Sequence, residues 1–180
     1  SIEGPYESNK RNPILTHRHL GYSSKIVNVG HADLVETQNG EWWFVCLASR
    51  PMGGHYRNLG RETFLAPMIW EDDWPVMCPD TGKVELEMQR PNLPNHPWQS
   101  LPSFDSFESE QLDLRWNLLR SPNESNYSLS KRPGYLRLYT RPQKLTEVTN
   151  PTFIGRRQEH FNFSATTVME FTPNKENEAA

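Results

Sequence analysis

The seven residues Glu41-Trp42-Trp43-Phe44-Val45-Cys46-Leu47 constrain this chain more than any other stretch. Read as a strand, they place Trp42, Phe44 and Cys46 on one face and Trp43, Val45 and Leu47 on the other. A strand apolar on both faces cannot lie on a solvated sheet and has to be covered from both sides, as when sheets stack face to face. Upstream, Gly30-His31-Ala32-Asp33-Leu34-Val35-Glu36-Thr37 forms a second β-type run. Asn39-Gly40 between the runs is a strong hairpin signal, because both residues tolerate the positive φ of a tight primed turn.

The rest of the chain reads as further strands separated by turns. Residues 1–29 open on a Gly4-Pro5 breaker and an extended loop that ends near His17 and His19. These histidines sit at i, i+2 without a third ligand nearby, so they read as solvated or hydrogen-bonded rather than as a metal pair. Pro51-Met52-Gly53-Gly54-His55 reads as a flexible loop of the kind that lines a pocket. Glu62 to Trp70 is a strand, Glu71-Asp72-Asp73 a polar turn, and Trp74-Pro75-Val76-Met77 the next strand, with Lys83–Glu87 ending the series. Residues 90–103 carry four prolines and no apolar periodicity, which makes them a stiff extended linker and the best domain boundary. Beyond it, short strands are expected at Phe104–Phe107, Leu112–Asn117, Tyr127–Leu129 and Tyr135–Tyr139, with turns at Ser121-Pro122-Asn123 and Arg132-Pro133-Gly134. Two longer strands, Thr152–Gln158 and Ala165–Phe171, follow. No helical period of useful length occurs. The expected class is all-β, the second half being a β-sandwich.

Composition narrows the partners. With 19 basic and 22 acidic residues the net charge is −3, without a cluster of either sign. Neither nucleic acid nor an anionic membrane is expected as a partner. No apolar run approaches the ~20 residues of a membrane span. No signal peptide opens the chain, so the cytoplasm is expected ahead of export, although a chain whose natural start lies upstream would carry no such signal. Cys46 and Cys78 read as two small apolar fillers rather than as a disulfide or metal pair.

Five segments in register carry a resemblance: Gly30-His31-Ala32-Asp33-Leu34, Glu41-Trp42-Trp43, Arg50-Pro51, Leu59-Gly60-Arg61-Glu62-Thr63 and Asp73-Trp74-Pro75-Val76. Together they resemble the last part of the five-bladed β-propeller of glycoside hydrolase family 43, the β-xylosidases and α-L-arabinofuranosidases. Residues from 99 onward resemble the opening strands of the lectin-like sandwich that follows the propeller in one branch of that family. The resemblance implies closing propeller blades over 1–98 and part of the sandwich over 99–180. It also implies a fragment, with the rest of the enzyme as a partner and the family's three catalytic carboxylates upstream of residue 1.

The resemblance implies inversion with an aspartate base, a glutamate acid and a second aspartate tuning that acid. An inverting pair of carboxyls stands roughly 6.5–9.5 Å apart, leaving room for water on the far face of the sugar. None of the three motifs is in this chain, so Asp33, Glu36, Glu41, Glu62, Asp72 and Asp73 receive no catalytic role. Arg61 is the candidate substrate-binding residue, since a guanidinium offers a planar fork of donors to vicinal hydroxyls. Taken without the resemblance, Arg61 reads first as the ion-pair partner of Glu62 or another acid between blades, and it is the matched motif that favours the pocket. The resemblance places His31 in the central propeller cavity beside a structural calcium, directly or through water; a buried histidine bonding strands together is the level alternative. Calcium favours oxygen ligands, which makes the contact through water the better fit. Trp42, Trp43, Trp70 and Trp74 are candidate sugar platforms, with core packing the preferred role for the first two. The expected function is part of a hydrolase acting on terminal xylose or arabinose of hemicellulose-derived oligosaccharides. The alternative is a non-catalytic carbohydrate-binding β protein or an inactive fragment. Incomplete β units with open edges further predict self-association of the isolated chain.

Overall fold

A computed structural model describes residues 2–21, 23–121 and 124–179. Its centre is one antiparallel sheet of four strands in sequence order, β1 (Val27–Glu36), β2 (Trp42–Ser49), β3 (Glu62–Glu71) and β4 (Trp74–Met77). Among the described residues the only helical pieces are two three-residue 3₁₀ turns, Arg18–Leu20 and Glu124–Asn126.

The pairing explains which face is the core. Phe44 lies opposite Leu34 on one side and Ala66 on the other, and Cys46 lies opposite Phe64. Phe44, Cys46, Ala48, Ala66 and Met68 are almost completely buried. They are covered by Ile26 before β1 and by Met77, Cys78 and Val84 at and after the end of β4, with Ile14 and Leu15 packed alongside. The other face carries Val35, Trp43, Val45, Leu65 and Pro67 across three strands. Trp43 and Ser49 are buried there, but Val35 is 44% and Leu65 45% exposed. The two-sided cover expected for β2 is therefore complete on one face and partial on the other.

Two turns exchange the roles expected of them. At Asn39-Gly40 the strands are joined not by a two-residue primed turn but by a wider loop. Thr37 N donates to Glu41 O at 2.8 Å and Gly40 N to Thr37 O at 3.0 Å. Only Gly40, at φ 84°, is left-handed there, as in a type I turn closed by a bulge glycine. The two-residue turn occurs at Asp72-Asp73, where Glu71 pairs directly with Trp74 and both aspartates have positive φ, 50° and 65°. Aspartate is one of the few side chains that accept this conformation. Strand β1 is interrupted by register shifts between Val27 and Gly30 and between Gly30 and Asp33.

His17 ties three segments together. Its Nε2 accepts from Val84 N at 3.0 Å, which leaves Nδ1 as the donor to Ile26 O at 2.9 Å. The neutral ring thus pins the N-terminal loop to the start of β1 and to the segment after β4. His19 is exposed and has no such role. Lys83–Glu87 forms no strand; it serves as cover for the sheet through Val84.

Past residue 90 the structure opens. Residues 90–103 are without regular structure, as expected of the proline-rich linker. Asn92 nevertheless clasps the β1–β2 loop, its N donating to Glu41 Oε2 at 2.9 Å and its O accepting from Asn39 Nδ2 at 2.8 Å. The sandwich strands are reduced to two-residue pairs, β5 (Trp116–Asn117) with β8 (Gly155–Arg156) and β6 (Tyr127–Ser128) with β7 (Arg137–Leu138). The strands expected at Phe104–Phe107 and Ala165–Phe171 do not form, and Thr152–Gln158 pairs only at its centre. A strand exists through its partner's hydrogen bonds, and these segments have none to pair with among the described residues. The turn expected at Ser121-Pro122-Asn123 lies partly outside the described residues.

The surface area measures this openness. The chain exposes 15004 Å², whereas a compact monomer of its mass exposes about 9,000 Å². Much of the excess is apolar: Trp98, Leu114, Val148 and Val168 are each at least 88% exposed. The isolated chain should therefore associate and melt over a broad range. Light scattering and calorimetry check this; a monodisperse monomer with one sharp transition would contradict it.

Candidate functional site

The start of β3 is where the chain gathers its functional groups. Gly60, at φ 72°, turns the chain out of the preceding loop, and Gly60 N donates to Arg57 O at 2.9 Å. Arg61 follows and Glu62 opens the strand. Leu59, Arg61, Glu62 and Thr63 form one wall of a cleft of about 340 Å³, and Arg157, Gln158 and Glu159 form the other. The loop Pro51–His55, expected to line a pocket, is not among these residues.

Glu62 does not pair with Arg61. Its carboxylate takes a two-point fork from Arg50, Nε to Oε2 at 2.9 Å and Nη2 to Oε1 at 2.7 Å. The Arg50 guanidinium also lies 5.0 Å above the Phe161 ring, a cation–π contact. The Arg50 hydrogen bonds hold the Glu62 carboxyl below its ordinary range; partial burial opposes this, and the charges of Arg50 and Arg157 add to it. Glu62 is thus an ionised structural acceptor with both oxygens in use. Among the described residues Arg61 has no hydrogen-bond or ion-pair partner. An exposed guanidinium on a cleft wall, beside a carboxylate already taken, has its whole fork available to a ligand.

His31 stands apart from this cleft. Gly30 pairs with Leu47, which pairs with Thr63, so His31 lies two strands over from β3, a separation of about 10 Å. It is exposed and sits at a bulge with left-handed backbone, φ 56°. Bulges re-aim side chains, and a non-glycine residue held at positive φ costs about 1–2 kcal/mol. The buried strand-bonding role considered for it does not occur here. Among the described residues no group of three His, Cys, Asp or Glu could hold a metal ion.

Of the tryptophans, Trp42 and Trp43 belong to the packed core, whereas Trp70, 45% exposed, and Trp74 keep open faces. Trp42 and Trp70 pack edge to face with centroids 5.4 Å apart, while Trp43 is 5% exposed and Trp74 36%. The two cysteines are free and buried, and burial chiefly pushes the Cys78 thiol up to about 12, with the charges of Cys46 and Glu85 adding. Such thiols stay protonated and inert at neutral pH. What the sequence did not disclose is the far wall of the cleft. Arg157, Gln158 and Glu159 lie nearly a hundred residues downstream, and only long-range packing brings them to Arg61.

Similarity to known proteins agrees with this architecture. The model of glycosyl hydrolases family 43 matches residues 1–75, and that of the beta xylosidase C-terminal concanavalin A-like domain matches residues 104–180. The non-reducing end alpha-L-arabinofuranosidase BoGH43B of Bacteroides ovatus is 44% identical over 178 residues, 98% of this chain and 33% of that protein. A xylosidase/arabinosidase of Butyrivibrio fibrisolvens is 45% identical, over 97% of this chain and 34% of its own length. The solved structure of Bacteroides ovatus xyloglucan PUL GH43B superposes with a TM-score of 0.83 at 44% identity, covering 90% of this chain and 32% of that one. The chain spans about a third of the length of the curated relatives it matches. Its fold is all-β, the closing blades of a five-bladed β-propeller followed by part of a lectin-like sandwich. Two family models in sequence order and relatives matched along nearly the whole chain lead to one conclusion: it belongs to glycoside hydrolase family 43.

Proposed function

We propose that this chain is the later part of an inverting glycosidase that removes terminal xylose or arabinose from hemicellulose-derived oligosaccharides. In this reading Arg61 is its contribution to the substrate pocket. The observation that carries the role of Arg61 is its guanidinium in the cleft, without a partner among the described residues, next to a Glu62 engaged at both oxygens by Arg50. A pyranose or furanose offers vicinal hydroxyl oxygens at a spacing that a planar fork of donors can grip. Two relatives are named for arabinofuranosidase and xylosidase/arabinosidase activities, which supports this substrate class.

The acid and base come from the remainder of the polypeptide, which is also the partner that covers the exposed Val35 and Leu65. The division into units at residues 98/99 belongs to the same proposal. A structural calcium in the propeller cavity would take its oxygen ligands from water and from that remainder. His31 would face it through water, with the bulge directing the ring.

Two outcomes test the reading. In the full-length enzyme, Arg61→Lys should lower kcat/KM roughly hundred-fold, the scale of losing one aligned donor set, without moving Tm. Wild-type kinetics in the lysine variant would return Arg61 to a structural role. The isolated chain should not hydrolyse aryl xylosides or arabinofuranosides, because the absent acid and base supply about 10²–10⁴-fold each. Steady turnover that co-purifies with the chain through successive columns would contradict this.

A further inference from the structure

We infer that Arg157, from the sandwich half of the chain, is a positioning residue for Arg61; this rests on the substrate-binding reading of Arg61. Arg157 Nη2 donates to Leu59 O at 3.3 Å, across 98 positions of sequence. Leu59 and Gly60 are the two residues that aim Arg61. Leu59 is 5% exposed, so its side chain anchors the turn from inside while Arg157 holds its carbonyl from the cleft. Gly60 is at φ 72°, and a Cβ built there would lie 3.9 Å from Arg157 Nη2, so the guanidinium also lies over the residue with the freest backbone in the turn.

A second set of contacts presses the same downstream segment onto the same place. Phe161, four residues beyond Arg157, stacks under Arg50, which holds Glu62. Glu62 feels the charge of Arg157 as well. Arg61 is therefore bracketed by Leu59, tied to Arg157, and by Glu62, tied through Arg50 to Phe161. Neither tie uses Arg61 itself, so both can fix its backbone while leaving its guanidinium open to the sugar. Misplacing a binding group by about 1 Å can cost up to 10²-fold in rate, so a tie two residues away is enough to matter.

The test is a double-mutant cycle in the full-length enzyme, with an aryl β-xyloside and an aryl α-L-arabinofuranoside as probes. Arg157→Met keeps most of the stem and removes the donor; Arg157→Lys can still reach one carbonyl. Arg157→Met should lower kcat/KM about ten-fold, Arg157→Lys should recover most of that loss, and Tm should stay within the range of other surface variants. In the Arg61→Lys background, Arg157→Met should have little further effect, because the group it positions is gone. An equal ten-fold loss in both backgrounds, or a loss that follows Tm and is not rescued by lysine, would overturn the positioning role while leaving Arg61 in the pocket. Wild-type kinetics for Arg157→Met in the otherwise wild-type enzyme, with Arg61→Lys itself impaired, would overturn it too. Wild-type kinetics for Arg61→Lys would instead remove the substrate-binding reading, and this inference with it.

Discussion

Strand β2 is the constraint on which the rest of this structure depends. It is hydrogen-bonded along both edges, to β1 and to β3, and its Phe44–Cys46–Ala48 face is sealed from water. The neighbouring strands and the segments that cover the sheet are placed by what they must do for that strand. β1 and β3 satisfy its backbone, since a buried unpaired amide costs as much as a lost hydrogen bond. The N-terminal loop and the segment after β4 supply the apolar cover, and His17 ties both to the start of β1. The opposite face carries Val35, Trp43 and Leu65 on three adjacent strands, and the chain covers that face only in part. An apolar face left half open is the shape of a blade that stacks on a neighbour.

Arg61 gains its character from the residue beside it. Placed next to an unengaged glutamate, it would close an ion pair and keep fewer of its five donors for a ligand. Arg50 prevents this by occupying both oxygens of Glu62, with Phe161 beneath it. A bidentate fork adds geometric specificity to charge, so Arg50 is favoured as the partner of this carboxylate by shape as well as by charge. The cleft then takes its second wall from residues 157–159, and propeller and sandwich share one surface there.

Much of this was legible in the sequence, and for physical reasons. The two-faced apolar pattern of Glu41–Leu47, the alternation in Glu62–Trp70 and the prolines of 90–103 are local signals, and local signals survive without a structure. Asn39-Gly40 reads as the tight turn because both residue types permit it. Permission is weaker than requirement, and the register of Glu36 with Trp42, extended by Thr37 N to Glu41 O, leaves the three-residue loop 38–40. Asp72-Asp73 reads only as a polar turn, although aspartate shares the tolerance that makes Asn-Gly persuasive. The left-handed backbone at His31 had no local signature beyond the adjacent Gly30. The sandwich strands failed for a different reason. Ala165–Phe171 has the composition of a strand, but composition supplies no partner, and the segment stays exposed. The second cleft wall was out of reach altogether, since no pattern in one sequence ties Arg157 to Leu59.

The central claim is that Arg61 holds the sugar while Arg50 keeps Glu62 away from it. The most direct measurement is a structure of the full-length enzyme with xylose or arabinose bound. The account predicts at least two Arg61 guanidinium nitrogens at about 2.7–3.2 Å from sugar hydroxyl oxygens, with the Arg50–Glu62 fork intact. Arg61 paired to a protein carboxylate, with the sugar bound out of its reach, would contradict it.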